Sequence, residues 1–243
     1  MPDVSSRGRG SALPPDDVLG RRVKAELRKR MRAVRQTMPL DACRERSLRI
    51  VSTLAAHPAV ERAKAVALFW PMLERHEVDL RELDRSLRAR GCAIAYPGMG
   101  EEGEILFRFV QDPSTLAPRD LGFAEPGDGD PLVGGTGKDL SALEVVVLPA
   151  LAVDPRGHRI GYGRGLYDRA LKATRGATRP LTIAVAFDFQ LVMETPATPL
   201  DEPAALVVTD RRTLVANDPA VTGGEGDTMS SPREEGRPRW SPT

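Results

Sequence analysis

The stretch that decides the fold is VVVLPALAVDPRGHRIGYGRGLYDRA, residues 145–170. It opens with a continuous apolar run, the strongest strand signal in the chain, which is typical of a strand buried on both faces. Glycines at 161, 163 and 165 then alternate with larger residues. A helix is predicted from Tyr167 to Thr174. The stretch therefore predicts a strand, a glycine-rich loop and a helix in that order.

The same alternation of strand and helix signals continues on both sides of this stretch. Apolar runs predict strands at 65–70, 92–96, 105–110, 181–187 and 205–209. Apolar residues at helical spacing predict helices at 17–38 and 40–56, and a third helix that Asp79 caps, with Glu82 in the capping-box position. Residues 111–141 are rich in Gly, Pro and Asp and predict a long irregular connection. Apolar strands separated by helices predict an α/β fold, a single three-layer Rossmann-like domain with a mostly parallel sheet.

Length and composition limit the domain organisation and the class of protein. The 243 residues are 41% apolar and 28% charged, with a net charge of +1, so nothing favours nucleic acid or an anionic membrane. Cys43 and Cys92 are too few for a disulfide framework. No run approaches the ~18 apolar residues of a membrane span, and the start lacks a secretory signal. We expect a cytoplasmic protein with one domain at 20–212 and disordered tails at 1–19 and 213–243.

The glycine-rich loop is the main candidate for a binding site. Ligands of parallel sheets bind beyond the carboxyl ends of strands, here after Trp70, Leu148 and Phe187. Backbone amides around closely spaced glycines form a concavity for anions, and the following helix adds its positive end. Arg159 and Arg164 bring charged donors, and Asp168 suggests Mg²⁺, because a carboxylate repels phosphate unless a cation lies between them. The alternative is a simple glycine-rich turn in which Asp168 is a solvated acid of the first helical turn.

Other candidates have equally ordinary alternatives. Lys24 and Arg28 are one helical turn apart and can clamp a triphosphate, or they belong to a solvated basic face. Glu77 can accept hydrogen bonds from a heterocycle, or it complements a helix dipole. Asp201 either joins Asp168 at a metal or starts a turn. The sequence GGTGKD, residues 134–139, lacks the P-loop spacing and a preceding apolar strand, so we interpret it as a mobile loop.

Taken together, these segments resemble the 5-formyltetrahydrofolate cyclo-ligase family, also called 5,10-methenyltetrahydrofolate synthetases. Four blocks carry the resemblance in order, across roughly residues 20 to 212. They are KAELR (24–28), the LFWPM…HEVDLREL region (68–83), VLPALAVDPRGHRIGYGRGLYD (147–168) and AFDFQLVMETPATPLDEPAALVVTD (186–210). The resemblance implies an α/β enzyme that uses ATP and Mg²⁺ to close 5-formyltetrahydrofolate to 5,10-methenyltetrahydrofolate, with ADP and phosphate as the other products.

The resemblance also implies roles for particular residues. ATP would contact Lys24, Arg28, Arg159, Ile160, Gly161, Tyr162, Gly163, Arg164, Gly165, Leu166 and Tyr167. The folate would contact Met72, Glu77, Tyr162, Gly163, Arg164, Gly165 and Leu166. Asp168 and Asp201 would hold Mg²⁺, and Arg164 and Lys24 would be catalytic. The implied partners are these small molecules, with no nucleic acid, no membrane and a monomeric chain.

Three departures from the family pattern qualify these roles. Leu166 stands where the family usually has the first Tyr of YYD, Ala205 replaces an Asp common before the last strand, and the segment from Pro71 to Glu77 is longer than usual. The departures leave open a non-catalytic nucleotide- or folate-binding regulator on the same scaffold. A sugar-phosphate isomerase or CoA-transferase-like protein is a further alternative, because related layered folds host those reactions.

Overall fold

A seven-stranded mixed sheet forms the middle layer of the protein. The computed structural model describes residues 16–119, 122–174 and 179–216. In spatial order, the strands are β11 (Thr213–Val215), β10 (Leu206–Val208), β9 (Leu181–Val185), β6 (Val145–Pro149), β1 (Ala65–Ala67), β2 (Ala93–Met99) and β3 (Ile105–Phe109). The five central strands run parallel, and the two edge strands, β11 and β3, run antiparallel to their neighbours. The predicted α/β fold with a mostly parallel sheet is confirmed.

The central strand β6 shows why the sheet is covered on both faces. Val145 and Val147 belong to one apolar cluster, whereas Val146 and Leu148 belong to the cluster on the other face. Successive side chains of a strand point to opposite faces, so an uninterrupted apolar strand requires a helical layer on each side. Each fully buried Val or Leu of this strand stabilises the fold by roughly 1.5–3 kcal/mol.

Helices form the two outer layers. They are α2 (Leu40–Ala56), α3 (Pro58–Arg62), α4 (Arg81–Ala89) and α5 (Leu166–Ala173), and they follow α1 (Asp16–Gln36) in the chain. Buried residues of α2, α3 and α4 pack on the face of Val145, and those of α5 pack on the face of Leu148. The first helix packs elsewhere, since Met31 joins Leu151 and Ile160 in a third cluster. That cluster lies on a small ribbon formed by β7 (Ala152–Val153) and β8 (Arg159–Ile160).

Regular structure begins and ends a few residues outside the predicted domain limits. The helix of α1 begins at Asp16, and β11 pairs with β10, so ordered structure extends beyond the predicted domain limits of 20 and 212 at both ends. Residues 1–15 and 217–243 of the predicted tails lie outside the described residues. The 111–141 connection is irregular as predicted, with short 3₁₀ turns and one two-residue ribbon, β4 (Ala117–Pro118) with β5 (Ala124–Glu125).

The predicted capping box of α4 is wrong. The residue before the helix is Leu80, which is buried in the core and whose side chain has no group that could cap the helix by a hydrogen bond. Asp79 instead accepts hydrogen bonds from the backbone N–H and the guanidinium of Arg81, and Glu82 pairs with Arg85.

Among the helices in the described ranges, none combines a membrane-spanning length with the apolar composition that a bilayer crossing requires.

Candidate active site

One cavity of about 1020 Å³ opens beyond the carboxyl ends of β1 and β6. Every residue predicted to contact a ligand or metal lines it, and these residues are Lys24, Arg28, Met72, Glu77, Arg159, Ile160, Gly161, Tyr162, Gly163, Arg164, Gly165, Leu166, Tyr167, Asp168 and Asp201. Residues directly after Phe187 do not line it, whereas residues 196–201 farther along the same segment do. The structure therefore brings together segments that are up to 177 positions apart in the sequence.

The glycine-rich loop runs from β8 into α5 along one wall of this cavity. Gly163 has a φ of 100°, and Gly165, the residue before the helix, has a φ of 61°. Residues that carry a side chain rarely adopt a backbone φ in this positive range, so both positions favour glycine. A Cβ atom added at Gly161 would meet no protein atom within 4 Å. The backbone at Gly161 is therefore open to the cavity.

Arg28 joins the loop to the first helix. Its Nε donates to the carbonyl oxygen of Gly161 at 2.9 Å, and its guanidinium carbon lies 3.2 Å from the position of a Cβ on Gly163. Burial and then the neighbouring Arg32 charge lower the pKa of Arg28 from its ordinary value. The helix thus contributes a partly desolvated cation to the same wall.

Lys24 and Asp201 form an ion pair at the mouth of the cavity. Lys24 Nζ lies 2.7 Å from Asp201 Oδ2, which also accepts hydrogen bonds from the backbone N–H and the hydroxyl of Thr198, at 2.7 and 2.8 Å. Burial opposes ionisation of Asp201, but the bonds from Lys24 and Thr198 outweigh it and hold its pKa below the ordinary value. The carboxylate is therefore ionised at neutral pH.

Arg159 and Asp168 form a second ion pair across the loop. Arg159 Nη2 donates to Asp168 Oδ1 at 3.0 Å, and the backbone N–H of Glu202 donates to the same oxygen at 3.1 Å. The Arg159 guanidinium also donates to the Glu202 carbonyl oxygen at 2.5 Å. Arg164, in contrast, is exposed, and its guanidinium has no hydrogen-bond or ion-pair partner among the described residues. Arg164 is therefore a donor available to a ligand.

The donor set fits a divalent cation that a ligand helps to bind. In Asp168 and in Asp201, one carboxylate oxygen accepts all the hydrogen bonds that the described residues supply, which leaves the second oxygen for a metal. The described residues contain no group of three His, Cys, Asp or Glu side chains placed to hold a metal alone. Mg²⁺ commonly takes one or two carboxylates, with substrate phosphates and water completing its coordination.

Glu77 lies at the other end of the cavity and is only 5% exposed. The Tyr162 hydroxyl donates to Glu77 Oε1, and the backbone N–H of Met72 donates to Oε2 at 3.0 Å. Arg35 Nη2 donates to the Tyr162 hydroxyl at 2.8 Å and lies 3.8 Å from Glu77 Oε1. Burial and then the charge of Glu77 raise the pKa of Tyr162 to about 12. The tyrosine is therefore neutral at neutral pH and donates its hydroxyl hydrogen to the Glu77 carboxylate.

Apolar and aromatic side chains surround this second end. The cavity is lined there by Phe69, Trp70, Met72, Pro97, Ile105, Phe123, Leu166 and Tyr167. Two of these rings are held by edge contacts, Trp70 against Tyr96 at 5.9 Å and Tyr167 against Phe107 at 6.2 Å between centroids. Tyr167 is thus fixed by packing. The cavity has a cationic end around the glycine-rich loop and an apolar end that contains a buried acid.

Sequence reasoning missed Arg35, Arg75 and Phe123 as residues of this cavity. Arg35 could have been predicted from helical spacing, because it lies seven residues after Arg28 and so falls on the same face of the helix. Arg75 ends a single 3₁₀ turn, and its guanidinium lies 5.5 Å from the centre of the Tyr162 ring. Phe123 belongs to an irregular segment. No periodicity marks such positions.

The departures noted in the sequence have different structural settings. Leu166 begins α5, lines the cavity and packs against the core, so it can change the contacts of a ligand. Ala205 lies outside the cavity, and its backbone N–H is bonded to Thr182 at 3.0 Å. Substitution at Ala205 therefore removes nothing from the cavity.

Comparison with known proteins agrees with this geometry. Residues 21–210 match the model of the 5-formyltetrahydrofolate cyclo-ligase family. The 5-formyltetrahydrofolate cyclo-ligase of Mus musculus is 27% identical over 186 residues, which are 75% of this chain and 87% of the mouse protein. The enzyme of the same name from Escherichia coli K12 is 30% identical over 183 residues, which are 74% of this chain and 96% of the bacterial protein.

Solved structures give the same result. The NMR structure of Aquifex aeolicus 5,10-methenyltetrahydrofolate synthetase has a TM-score of 0.68 and 28% identity, and the match covers 81% of this chain and 94% of that one. The Mycoplasma pneumoniae 5,10-methenyltetrahydrofolate synthetase has a TM-score of 0.58 at 21% identity, with 77% and 98% covered, and supports the fold. The chain belongs to the 5-formyltetrahydrofolate cyclo-ligase family of enzymes.

Proposed function

We propose that this protein is an ATP- and Mg²⁺-dependent 5-formyltetrahydrofolate cyclo-ligase that forms 5,10-methenyltetrahydrofolate, ADP and phosphate. The observation that carries the proposal is the division of one cavity into a cationic end and an apolar end with a buried acid. Its volume of about 1020 Å³ lies at the top of the range for single ligand sites, roughly 300–1,000 Å³, and suits two substrates side by side. Membership of the cyclo-ligase family supports the same assignment.

The cationic end is assigned to the triphosphate of ATP. Residues 161–165 line the cavity, and Arg164 is an exposed donor among them. Lys24 and Arg28 approach from the first helix. Positive charge fixed in place stabilises the charge that develops on a transferring phosphoryl group. Arg164 and Lys24 are therefore the proposed catalytic cations.

The apolar end is assigned to the folate ring. A buried carboxyl group such as that of Glu77 is an acceptor for the N–H groups of a heterocycle, and aromatic walls cover the ring faces. Met72 lines the cavity beside Glu77 and donates its backbone N–H to that carboxyl group. This arrangement favours a flat molecule with donors on one edge over a sugar phosphate.

The chemistry follows from the substrate. An amide resists attack at its carbon, and its oxygen leaves poorly. Transfer of the γ-phosphoryl group from ATP to the formyl oxygen makes that oxygen part of a good leaving group. N10 then adds to the formyl carbon and loses its proton, the C–O bond breaks, and phosphate leaves with the formyl oxygen. The protein positions the two substrates and neutralises phosphate charge.

Asp168 and Asp201 are the proposed ligands for Mg²⁺, through the carboxylate oxygens that the described residues leave free of hydrogen bonds. When bound, Mg²⁺ would supply charge neutralisation between these acids and the ATP phosphates. Lys24 and Arg159 balance the same two carboxylates in the ligand-free protein. A monomeric, cytoplasmic enzyme without a nucleic-acid partner remains our expectation.

The direct test mixes the purified full-length protein with ATP, MgCl₂ and 5-formyltetrahydrofolate and follows the methenyl product by its absorbance. Product formation that requires ATP and stops when EDTA is added supports the proposal. Absence of product, or product without ATP, contradicts it. Binding of both substrates without turnover would instead identify the non-catalytic regulator.

A further inference from the structure

Arg35 belongs to the last turn of α1 and lines the cavity at its apolar end. Lys24 and Arg28, on the same helix, line the cationic end. At about 1.5 Å per residue, the eleven positions from Lys24 to Arg35 span roughly 16 Å. One face of one helix therefore reaches both ends of the cavity, and the function proposed above gives no role to its far end.

The side chain of Arg35 is 5% exposed and makes a specific set of contacts. Its Nη2 donates to the Tyr162 hydroxyl at 2.8 Å and lies 3.8 Å from Glu77 Oε1. Among the described residues, Arg35 supplies the cationic side chain that lies within ion-pair distance of Glu77. Its Nε is buried and has no hydrogen-bond partner there. An arginine held in this way does not serve as an ordinary surface charge.

Burial makes the pairing of Glu77 necessary. An ionised carboxylate removed from water is costly unless a charge or several donors compensate it. Glu77 obtains its compensation from Arg35, Tyr162 and the Met72 amide. Loss of Arg35 would remove the cation from this set, leave Glu77 with the two neutral donors, and free the Tyr162 hydroxyl to turn.

We propose that Arg35 is a positioning residue that acts through Tyr162 and holds the Glu77 carboxylate in place, aimed at the folate ring. The proposal rests on the function proposed above, in which Glu77 receives the heterocycle. It assigns Arg35 to the folate end alone. The Tyr162 hydroxyl accepts from Arg35 and donates to Glu77, so it links the two side chains.

The test compares Arg35→Met, Arg35→Lys and Arg30→Met with the wild type. Arg30 is an exposed arginine on the same helix that does not line the cavity, so it is the matched control. Calorimetry gives the Kd of each substrate, and steady-state rates give each KM. We expect Arg35→Met to raise the folate Kd and KM at least about 30-fold, the usual consequence of removing one partner of a buried charge pair. The Kd and KM of ATP should stay within about twofold, and Arg35→Lys should recover part of the folate affinity.

An unchanged folate Kd, or equal weakening of folate and ATP, would overturn the proposal. If Arg35→Met does not fold, Arg35→Lys decides, because an unchanged folate Kd in that variant contradicts the assignment. A double-mutant cycle with Tyr162→Phe adds a second criterion, since strictly additive effects would exclude action through Tyr162. Wild-type protein that binds folate without forming product would reject the proposed reaction and leave the Arg35 test standing, whereas wild-type protein that binds no folate would reject both.

Discussion

Two glycine-rich loops of this molecule have similar sequences and opposite surroundings. The loop 161–165 follows β8, and a Cβ atom at Gly161 would meet open space. The loop 134–139 packs against the edge of the sheet, where a Cβ at Gly137 would lie 2.8 Å from Leu132 Cδ2 and one at Gly134 would lie 2.7 Å from the Asp139 carbonyl oxygen. In the first loop, the space beside the Gly161 backbone is open to a ligand. In the second loop, the space beside the glycine backbone is occupied by other groups of the protein.

The charged residues of the two loops differ in the same way. Arg164 has no partner among the described residues, whereas Lys138 Nζ lies 3.0 Å from Glu104 and 3.6 Å from Glu102. Phe107 also donates its backbone N–H to the Gly137 carbonyl oxygen at 3.0 Å. A glycine motif therefore indicates a binding site only where its amides and cations remain free of protein partners.

The largest expected effect comes from removing a charge at the first loop. Arg164→Ala and Asp168→Ala should each lower kcat by about 100-fold or more, because each removes a group proposed to act on the transferring phosphoryl group or its metal. Steady-state assays measure the effect, and circular dichroism checks the fold. Lys138→Ala is the matched control in the second loop and should retain wild-type kcat. Near-normal rates in either first-loop variant would reject the assignment.

The next effect should appear in stability at the second loop. Gly137→Ala forces a side chain into a φ of 70° and against Leu132, Leu106 and Phe107, so it should lower the unfolding free energy by roughly 1–3 kcal/mol. Urea denaturation measures the change. The KM values of the folded fraction should remain those of the wild type. A stable variant with altered KM would reverse the roles of the two loops.

Gly161→Ala should show the opposite behaviour with a smaller effect. The added methyl group meets no protein atom, so the unfolding free energy should stay within about 0.5 kcal/mol of the wild type. The same methyl group would hinder close approach of phosphate to the backbone, and we expect the KM for ATP to rise about tenfold, or ~1.4 kcal/mol of binding energy. An unchanged KM for ATP would place the phosphates elsewhere.

The smallest effect is the pH dependence of the Lys24–Asp201 pair. The pKa of Asp201 is lowered in the folded protein, so its contribution to stability is present above the unfolded-state value of about 3.9 and is lost as pH falls through the lower folded value. Asp201→Asn should be less stable than the wild type at pH 6, and the gap should close below about pH 3.9. Urea denaturation at a series of pH values measures the difference in unfolding free energy between the variant and the wild type. A difference that does not change with pH would contradict the ion-pair account.

The sequence predicted the central features of the fold and the site because both depend on local pattern. Apolar strands such as β6 require cover on both faces, and residues that follow parallel strands meet at one edge of the sheet. That Lys24 and Asp201 belong to one site was implied by the family resemblance, not by local pattern, and the two side chains are 2.7 Å apart. Their roles toward ligands remain proposals.

Other features depend on tertiary packing that no local pattern records. The buried Leu80 is the residue before α4, and Asp79 accepts hydrogen bonds from the backbone N–H and the guanidinium of Arg81. The strand β11 is defined by its antiparallel backbone hydrogen bonds to β10, a pairing between separate segments of the sheet. Phe123 reaches the cavity from an irregular connection, and the pairing of Arg35 with Glu77 joins residues from separate elements.

The most direct test of the account is calorimetric titration of ATP into the purified protein with and without MgCl₂. We predict saturable binding that strengthens with Mg²⁺ and weakens about tenfold in Gly161→Ala, with Gly137→Ala matching the wild type per folded molecule. Folded protein that binds no ATP under either condition would contradict the assignment of the glycine-rich loop to a nucleotide.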